Sequence, residues 1–212
     1  MDTEQLIRSL AVDNGSHASP IWFSLTQSLL VAVPVTSLLF FLVLGFRSDI
    51  AIAIHNPFFG LKFAVTTTLA ISTLVLGLHL ARPEATLGCR AWPLLIPIGL
   101  LAAGIVGEMM LPQGLSALTR LVGTNSRICL AAIPLMSLPL LTATLAGLRQ
   151  GATSHPARTG AVAGLFSAGL AATFYASNCT DDSPLFVITW YSLAGAIVAS
   201  LGALAGNKVL RF

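Results

Sequence analysis

Six apolar stretches, each about as long as a bilayer is thick, constrain this chain more than any other feature. A helix rises ~1.5 Å per residue and the hydrocarbon core is ~30 Å thick, so about 20 apolar residues make one crossing. The stretches lie at residues 25–46, 61–80, 92–111, 128–148, 159–177 and 185–205. They predict an all-α, polytopic bundle of six transmembrane helices joined by short connections.

The composition agrees with a membrane protein. Apolar residues make up 55% of the chain and charged residues 9%, whereas roughly 25% of the residues of soluble domains are charged. The net charge of +3 rests on 11 basic residues, and these lie mostly in the short connections. They indicate membrane topology rather than a phosphate-binding patch, so we expect no direct binding of nucleic acid.

The basic residues favour an orientation with both termini inside. Threading from an inner N-terminus leaves seven of them on the cytoplasmic side, namely Arg8, Arg82, Arg90, Arg149, Arg158, Lys208 and Arg211. Four fall outside, namely Arg47, Lys62, Arg120 and Arg127. Because cytoplasmic loops are enriched in basic residues, we expect the N- and C-termini to be cytoplasmic. The first stretch follows a long, partly acidic leader without a small-x-small cleavage site, so it is predicted to remain as a helix.

The same threading places two of the three cysteines on one membrane face. Twenty residues separate Cys129 from Arg149, and 21 separate Arg158 from Cys179. Two nearly equal arms of one hairpin return the chain to its starting depth, so both thiols are predicted at the outer face and Cys89 at the inner one. This arrangement suggests a membrane-embedded thiol sensor.

The neighbours of the two outer cysteines predict different reactivities. Cys129 lies in the first turn of the fourth helix, beside Arg127 and after Asn125 and Ser126, either of which can cap that helix. The positive helix end and the guanidinium favour a thiolate there. Cys179 ends the fifth helix and precedes Asp181 and Asp182, whose charges disfavour its thiolate. Cys129 is therefore predicted to be the attacking thiol and Cys179 the resolving one.

Other uses of these cysteines remain open from spacing alone. In an oxidising periplasm the pair would also suit a structural disulfide. Metal binding by the two thiols with Asp181, Asp182 or His55 lacks a CxxC or HxxxH spacing, so we predict no metal and no cofactor. A small transporter or a redox membrane protein is the rival class. Cys89 is interpreted as a small interfacial residue.

Few other groups within the stretches carry chemistry. Glu108 and His79 lie near helix ends, where we expect ordinary interfacial solvation. Motifs of intramembrane proteases and ATPases, and the buried carboxylate series of ion-coupled pumps, are absent from the sequence, so we predict that the protein is not an enzyme.

Small residues recur at four-residue spacing in the last two stretches. The pairs are Gly160 with Gly164, Ala168 with Ala172, Gly195 with Ala199, and Gly202 with Gly206. Such spacing lets helix backbones approach closely in a membrane. It predicts close packing inside the bundle, with a dimer seam as the alternative.

Residues 1–24 form the one sizeable polar segment, and residues 25–212 form the transmembrane domain. In this segment Leu6, Ile7 and Leu10 form an apolar stripe on a predicted short amphipathic helix that Asp2 or Thr3 can cap. The segment lacks the basic excess of a membrane-surface helix, so the stripe is predicted to dock on a protein partner.

Several motifs together resemble those of the NrsF family. They are the opening residues 2–10, the runs 148–152 and 160–165, the stretch Asn178 to Phe186 with Trp190 and Tyr191, and the basic end at 208–212. The Cys-Thr-Asp-Asp-Ser-Pro sequence that begins at Cys179 is the most specific of them.

The resemblance implies a six-helix anti-sigma factor of the bacterial inner membrane. In that family the cytoplasmic N-terminus holds an extracytoplasmic-function sigma factor. Two periplasm-facing cysteines, which match Cys129 and Cys179, are needed for the response to oxidants or heavy metals. The resemblance thus implies a regulator of transcription in a stress response.

Overall fold

The computed structural model of the protein describes residues 4–5, 20–83, 85, 88–112, 114 and 116–211, and the side chain of Cys89 is outside this description. The described residues contain helices and no strands. Six of the helices are long and apolar enough to cross a membrane, which confirms the predicted all-α class and helix number.

The six long helices follow one another along the chain. They are α1 (Ile21–Val43), α2 (Pro57–Leu80), α3 (Leu95–Met110), α4 (Ser126–Leu148), α5 (Pro156–Ala176) and α6 (Pro184–Val209). Three short segments lie between them, namely helix Ile50–Ala53, the 3-10 helix Cys89–Leu94 and helix Ala117–Val122. Helix α6 contains a π-helical turn at Val187–Tyr191.

Most helix starts precede the predicted apolar stretches by one to four residues. Pro57, Pro156 and Pro184 each occupy the first turn of a helix, where a missing N–H costs nothing and a fixed φ is already helical. Helix α1 ends before its apolar stretch does because Gly45 takes a positive φ of 71°. Apolar length therefore predicted the existence of each helix better than its ends.

The helices run up and down, so alternate connections meet at the same end of the bundle. The connections 44–56, 111–125 and 177–183 share one end, here called the thiol end, where hydrogen bonds join them. The chain enters α1 and leaves α6 at the opposite end. Helix α5 packs against α6, α2 and α4, while α1 packs mainly on α4 and α3 mainly on α2.

Glycines form the contact between α5 and α6. A Cβ built on Gly160 would lie 2.2 Å from the Gly202 carbonyl oxygen, and one on Gly164 would lie 2.5 Å from the Val198 oxygen. Only glycine permits such a backbone approach, so the predicted close packing inside the bundle is confirmed for this pair of helices. Gly195 is an exception, because a Cβ there would meet no atom within 4 Å.

Large apolar side chains cover the outside of the helices. Trp22, Leu30, Leu42, Met110 and Leu204 are all more than 60% exposed. An apolar exterior of this extent is unusual for a soluble protein and suits lipid contact.

Candidate thiol site

The structure places Cys129 and Cys179 in one buried cluster at the thiol end. Cys129 lies in the first turn of α4, and its N–H donates to the Asn125 carbonyl oxygen at 2.8 Å. Cys179 follows the end of α5, and its N–H donates to the Tyr175 carbonyl oxygen at 3.0 Å. Both are free thiols with 0% exposure. The two thiols, which were predicted to lie at a similar depth, belong to the same apolar cluster.

Aromatic side chains from three helices surround the thiols. Tyr175 of α5, Phe186 and Tyr191 of α6, and Phe40 of α1 belong to the same cluster. The ring centroids of Tyr175 and Tyr191 lie 5.9 Å apart, and those of Phe186 and Tyr191 lie 6.3 Å apart. The π-helical turn of α6 carries Tyr191, whose buried hydroxyl has no hydrogen-bond partner among the described residues. Such turns occur frequently at functional sites.

Asp181 joins the segment after Cys179 to the start of α4. Its carboxylate accepts hydrogen bonds from the N–H groups of Thr124 at 3.0 Å and Asn125 at 2.8 Å. The side chain of Asn125 donates to the same carboxylate at 3.0 Å and makes no cap bond to its own helix. Of the two predicted capping residues, Asn125 or Ser126, Asn125 occupies the N-cap position of α4, but its side chain binds Asp181 instead of the helix.

Asp182 binds two cations, one from the connection between α1 and α2 and one from α2 itself. The Arg47 guanidinium donates to Asp182 at 3.1 Å and the Lys62 ammonium at 2.5 Å. The same ammonium donates to the Cys179 carbonyl oxygen at 2.7 Å, and Lys62 is only 1% exposed. A buried ammonium is tolerated because these acceptors satisfy it. It fixes the main chain of Cys179.

Arg47 also pairs with Asp49, which lies at the surface. Its Nε and Nη2 atoms donate to the two carboxylate oxygens of Asp49, each at 2.7 Å. This bidentate pair raises the pKa of Arg47 and lowers the pKa of Asp49 to about 2. Arg47 therefore stays charged at physiological pH.

Ser183 binds α3. Together with Asp181, Asp182 and their partners it forms a layer of polar contacts at the thiol end, here called the polar layer. Its hydroxyl donates to the Glu108 carboxylate at 2.7 Å, and Arg120 forms an ion pair with Glu108 at 2.9 Å. Glu108 is 3% exposed, so its predicted interfacial solvation is wrong. The neighbouring hydroxyl and guanidinium, rather than water, compensate the buried carboxylate.

Burial governs the chemistry of Cys179. Desolvation raises the pKa of its thiol, and the charge of Lys62 opposes this effect without cancelling it. The charge of Asp181 raises the pKa further, while a hydrogen bond to the Asp181 backbone lowers it. Asp182, which we also predicted to act on this thiol, is neutralised by its two cations. At neutral pH Cys179 is thus a protonated thiol within the closed site.

The other predicted site residues have different outcomes. Arg127 is exposed and makes no hydrogen bond or ion pair in the described part of the chain, so its tuning of Cys129 stays a prediction. Leu6, Ile7 and Leu10 lie outside the described residues, although Glu4 and Gln5 before them are helical.

Sequence reasoning gave no site role to Lys62, Arg47, Tyr175 or Tyr191. Lys62 did carry a signal that could have found it, because a lysine one turn inside an apolar helix needs a partner.

A closed thiol pair of this kind suits a switch better than a catalyst, because its atoms can be reached only after the polar layer opens. Comparisons with known proteins identify a family of regulators. The family model described as "Negative regulator of sigma F" matches residues 10–212. The chain is 33% identical to the anti-sigma-F factor NrsF of Caulobacter vibrioides over 217 residues, with both chains fully covered.

A second relative is the probable anti-sigma-F factor NrsF of Azospira oryzae, which is 29% identical over 216 residues, again with both chains fully covered. No solved structure matches the chain. The resemblance seen in the sequence motifs is therefore confirmed, and the family is one of regulators rather than enzymes. This chain belongs to the NrsF family of negative regulators of sigma F.

Proposed function

We propose that this protein is a membrane-embedded anti-sigma factor with a thiol switch. Its cytoplasmic N-terminal segment holds an extracytoplasmic-function sigma factor away from RNA polymerase. Modification of Cys129 and Cys179 by oxidants or heavy metals at the periplasmic face releases it. The observation that carries the proposal is the closed cluster of two free thiols at the end of the bundle, beside the residues that tie three connections together.

Membrane insertion and orientation are supported by independent features. The six helices have lengths that suit a bilayer, and their exteriors are apolar. The excess of basic residues at the opposite end favours a cytoplasmic location for that end and for both termini. The thiol end then faces the periplasm. The family comparison favours a sigma-factor partner over the rival transporter or redox protein.

Modification would change the packing of the thiol end because both thiols are fully buried. Disulfide formation removes two protons and two electrons from the thiols, which pass to the oxidant, and shortens their separation to ~2 Å. Binding of a divalent metal displaces the two thiol protons and adds an ion. Cores of native density do not absorb such changes without movement. Sigma release requires that the moved state bind sigma more weakly, by ~1.4 kcal/mol for each tenfold change.

The thiol switch is tested with single substitutions in native membranes. The tagged full-length chain is purified with its bound proteins before and after exposure to diamide or Cd²⁺. Cys129→Ser and Cys179→Ser are expected to retain the sigma factor and lose most of the response, while the matched control Cys89→Ser responds normally. If the pair is a structural disulfide instead, the same changes reduce protein levels and release the sigma factor without stress, since losing a native disulfide costs ~2–5 kcal/mol.

Alkylation shows which thiol reacts first. With N-ethylmaleimide, the buried thiols of unstressed membranes are expected to label more slowly than the same thiols in denaturant. Both thiols are buried, so the site must open before either is labelled. Cys129 should then label before Cys179, because the start of α4 and Arg127 favour the thiolate of an exposed Cys129. Equal labelling of the two would remove their assignment as attacking and resolving thiols.

The N-terminal docking stripe is tested separately. Leu6→Asp and Leu10→Asp are expected to free the sigma factor without stress, because a charge on a docked apolar face is desolvated without a partner. Gln5→Asp adds the same charge beside the stripe and should leave sigma bound. Retention of sigma by both leucine variants would refute docking through this stripe.

The orientation is tested with reporter fusions. Reporters placed after Arg158 and after Phe212 should be cytoplasmic, while one inserted between Thr180 and Pro184 should be periplasmic. A cytoplasmic reporter at Asp181 would invert the proposed topology.

A further inference from the structure

The end of α1 is held by the segment that contains Cys179. The Asn178 side chain donates to the carbonyl oxygens of Leu44 at 3.3 Å and Gly45 at 3.0 Å. The last carbonyls of a helix lack partners within it, so Asn178 acts as a cap supplied by another part of the chain. The N–H of Arg47 donates to the Ser177 carbonyl oxygen at 3.2 Å. These contacts adjoin Cys179 on its N-terminal side.

Arg47 extends this connection to the other side of Cys179. Its Nη1 atom donates to the Cys179 carbonyl oxygen at 3.2 Å and to both carboxylate oxygens of Asp182 at 3.1 Å. The side chain is 6% exposed. A displacement of the main chain at Cys179 therefore acts directly on the residues that end α1.

Helix α1 also contacts the thiol site through its own side chains. Phe40, which is 1% exposed, belongs to the cluster that contains both cysteines, and its ring centroid lies 6.1 Å from that of Phe174 on α5. The helix packs on α4, which carries Cys129. Both thiol-bearing segments thus contact α1 near its thiol end.

Elsewhere α1 is less buried than α5, although it packs closely on α4 at its opposite end, where a Cβ on Gly147 would lie 2.7 Å from the Leu25 Cα. Five of its 23 residues are buried, namely Ser24, Leu25, Ala32, Thr36 and Phe40. In α5, 13 of 21 residues are buried. Helix α1 is continuous over ~35 Å for its 23 residues, and Pro34 removes one backbone hydrogen bond near its middle. A change at Val43 can therefore reach Ile21 by tilting the helix or by bending it at Pro34. Residues 1–20, which contain the predicted docking stripe, join α1 at that end.

We propose that α1 transmits the state of the thiols across the membrane, and that Asn178 and Arg47 are the positioning residues that couple it to Cys179. At rest the two side chains hold the end of α1 against the thiol cluster. When the turn at Cys179 is displaced, α1 loses these contacts and shifts relative to α4, and its opposite end moves. The link from this movement to sigma release rests on the proposed function, whereas the movement itself does not.

The test measures the opposite end of α1 without any sigma factor. A single cysteine is placed at Ser24, which is 8% exposed near the start of α1, in a chain whose three native cysteines are replaced by serine. The matched site is Thr159, which is 0% exposed near the start of α5 at the same end of the bundle. Maleimide labelling of each is followed in inside-out vesicles, with and without Asn178→Ala.

Asn178→Ala is expected to increase the labelling rate of Ser24→Cys about tenfold, because it removes two hydrogen bonds to α1. The labelling rate of Thr159→Cys should not change. Asn125→Ala is the matched control, since Asn125 lies at the thiol end and binds Thr180 and Asp181 but not α1. A rate increase at both sites, or at neither, would overturn the proposal.

A second variant covers the case in which Asn178→Ala does not fold. Arg47→Ala should also increase labelling at Ser24→Cys, and Arg47→Lys should restore part of the resting rate because it keeps the charge beside Asp182. Arg120→Ala removes an arginine that pairs with Glu108 rather than with the segment at Cys179, so it should leave Ser24→Cys unchanged. An equal increase from Arg120→Ala would show general loosening instead of coupling through α1.

In the native chain, sigma retention is measured on the same variants. Asn178→Ala should release sigma even when Cys129 and Cys179 are serine, because it acts after the thiols. Altered Ser24 labelling with sigma still bound would refute the proposed role of the tail while leaving the movement of α1 intact.

Discussion

Helices α1 and α5 belong to the same bundle but differ in how much of each is buried. Helix α5 meets α6 through backbone contacts at Gly160 and Gly164 and is buried along most of its length. Helix α1 has a mostly exposed surface, and its thiol end is held by side chains from the segment around Cys179. Helix α5 is thus part of the buried centre of the bundle, whereas α1 lies at its edge, close to α4 at Leu25 and tied to the Cys179 segment at its thiol end.

The largest expected effect comes from disrupting the contact between α5 and α6. Gly160→Leu should prevent stable folding, because its Cβ alone would overlap the Gly202 carbonyl, and overpacking of a core costs ~1–3 kcal/mol or more. Gly195→Leu should be tolerated, since a Cβ there meets no atom within 4 Å. Protein level in membranes and thermal unfolding in detergent measure both. Equal stability of the two variants would contradict the glycine contact.

A somewhat smaller effect is expected at the cations that join α1 and α2 to Cys179. Asp182→Asn leaves the buried ammonium of Lys62 without its carboxylate, and removing one member of a buried pair costs ~3–5 kcal/mol. Asp49→Asn removes the other carboxylate that pairs with Arg47. The Asp49 side chain is 45% exposed, so this change should destabilise the protein much less. Thermal unfolding of the two variants gives the comparison, and a similar loss in both would show that Lys62 does not depend on Asp182.

The turn that ends α1 offers a milder change. Gly45→Ala should destabilise the protein by ~1 kcal/mol because its φ of 71° strains an L-residue. The new Cβ meets no atom within 4 Å, so backbone strain is the sole cause. Gly60→Ala is the control, because Gly60 is helical with equally open space, and alanine there should be neutral or stabilising.

The smallest effect concerns the pH dependence of the Arg47 pair. The pKa of Asp49 is about 2 in the folded protein, below the value of ~3.9 for an unfolded aspartate. The pair therefore stabilises the fold above pH ~4 and loses this contribution as the pH falls through about 2. Asp49→Asn should flatten the dependence of the unfolding temperature on pH between 5 and 2. An unchanged slope would show that Asp49 does not contribute.

Much of the architecture could be predicted from local properties of the chain. Apolar length gave the six helices, and equal arm lengths gave the shared end of Cys129 and Cys179. The small-residue spacing at Gly160, Gly164, Gly202 and Gly206 predicted a close contact. Helix ends were less accurate, because proline at Pro57 and Pro156 extends a helix beyond the apolar stretch that signals it.

The location of the two thiols could be predicted, but the partners of the charged residues around them could not. Asp181 and Asp182 were expected to act on Cys179 as two similar charges, and the structure gives them separate roles. Asp181 binds the start of α4, while Asp182 neutralises Lys62 and Arg47. Glu108 was expected in water, yet it is buried beside Ser183 and Arg120. Each error arose because the environment of a charged residue was inferred from its neighbours in the sequence, whereas its partners come from distant parts of the chain.

The sequence by itself determined that this chain forms six apolar helices, with two cysteines at one end of the bundle, because hydrophobicity and helical rise are summed along a continuous segment. Only the tertiary structure decided which polar groups satisfy one another there. Lys62 meets Asp182 across 120 positions, and Asn178 meets Gly45 across 133. A buried charge or carbonyl takes whichever partner the packing of helices brings within ~3 Å, and that distance is a property of the fold.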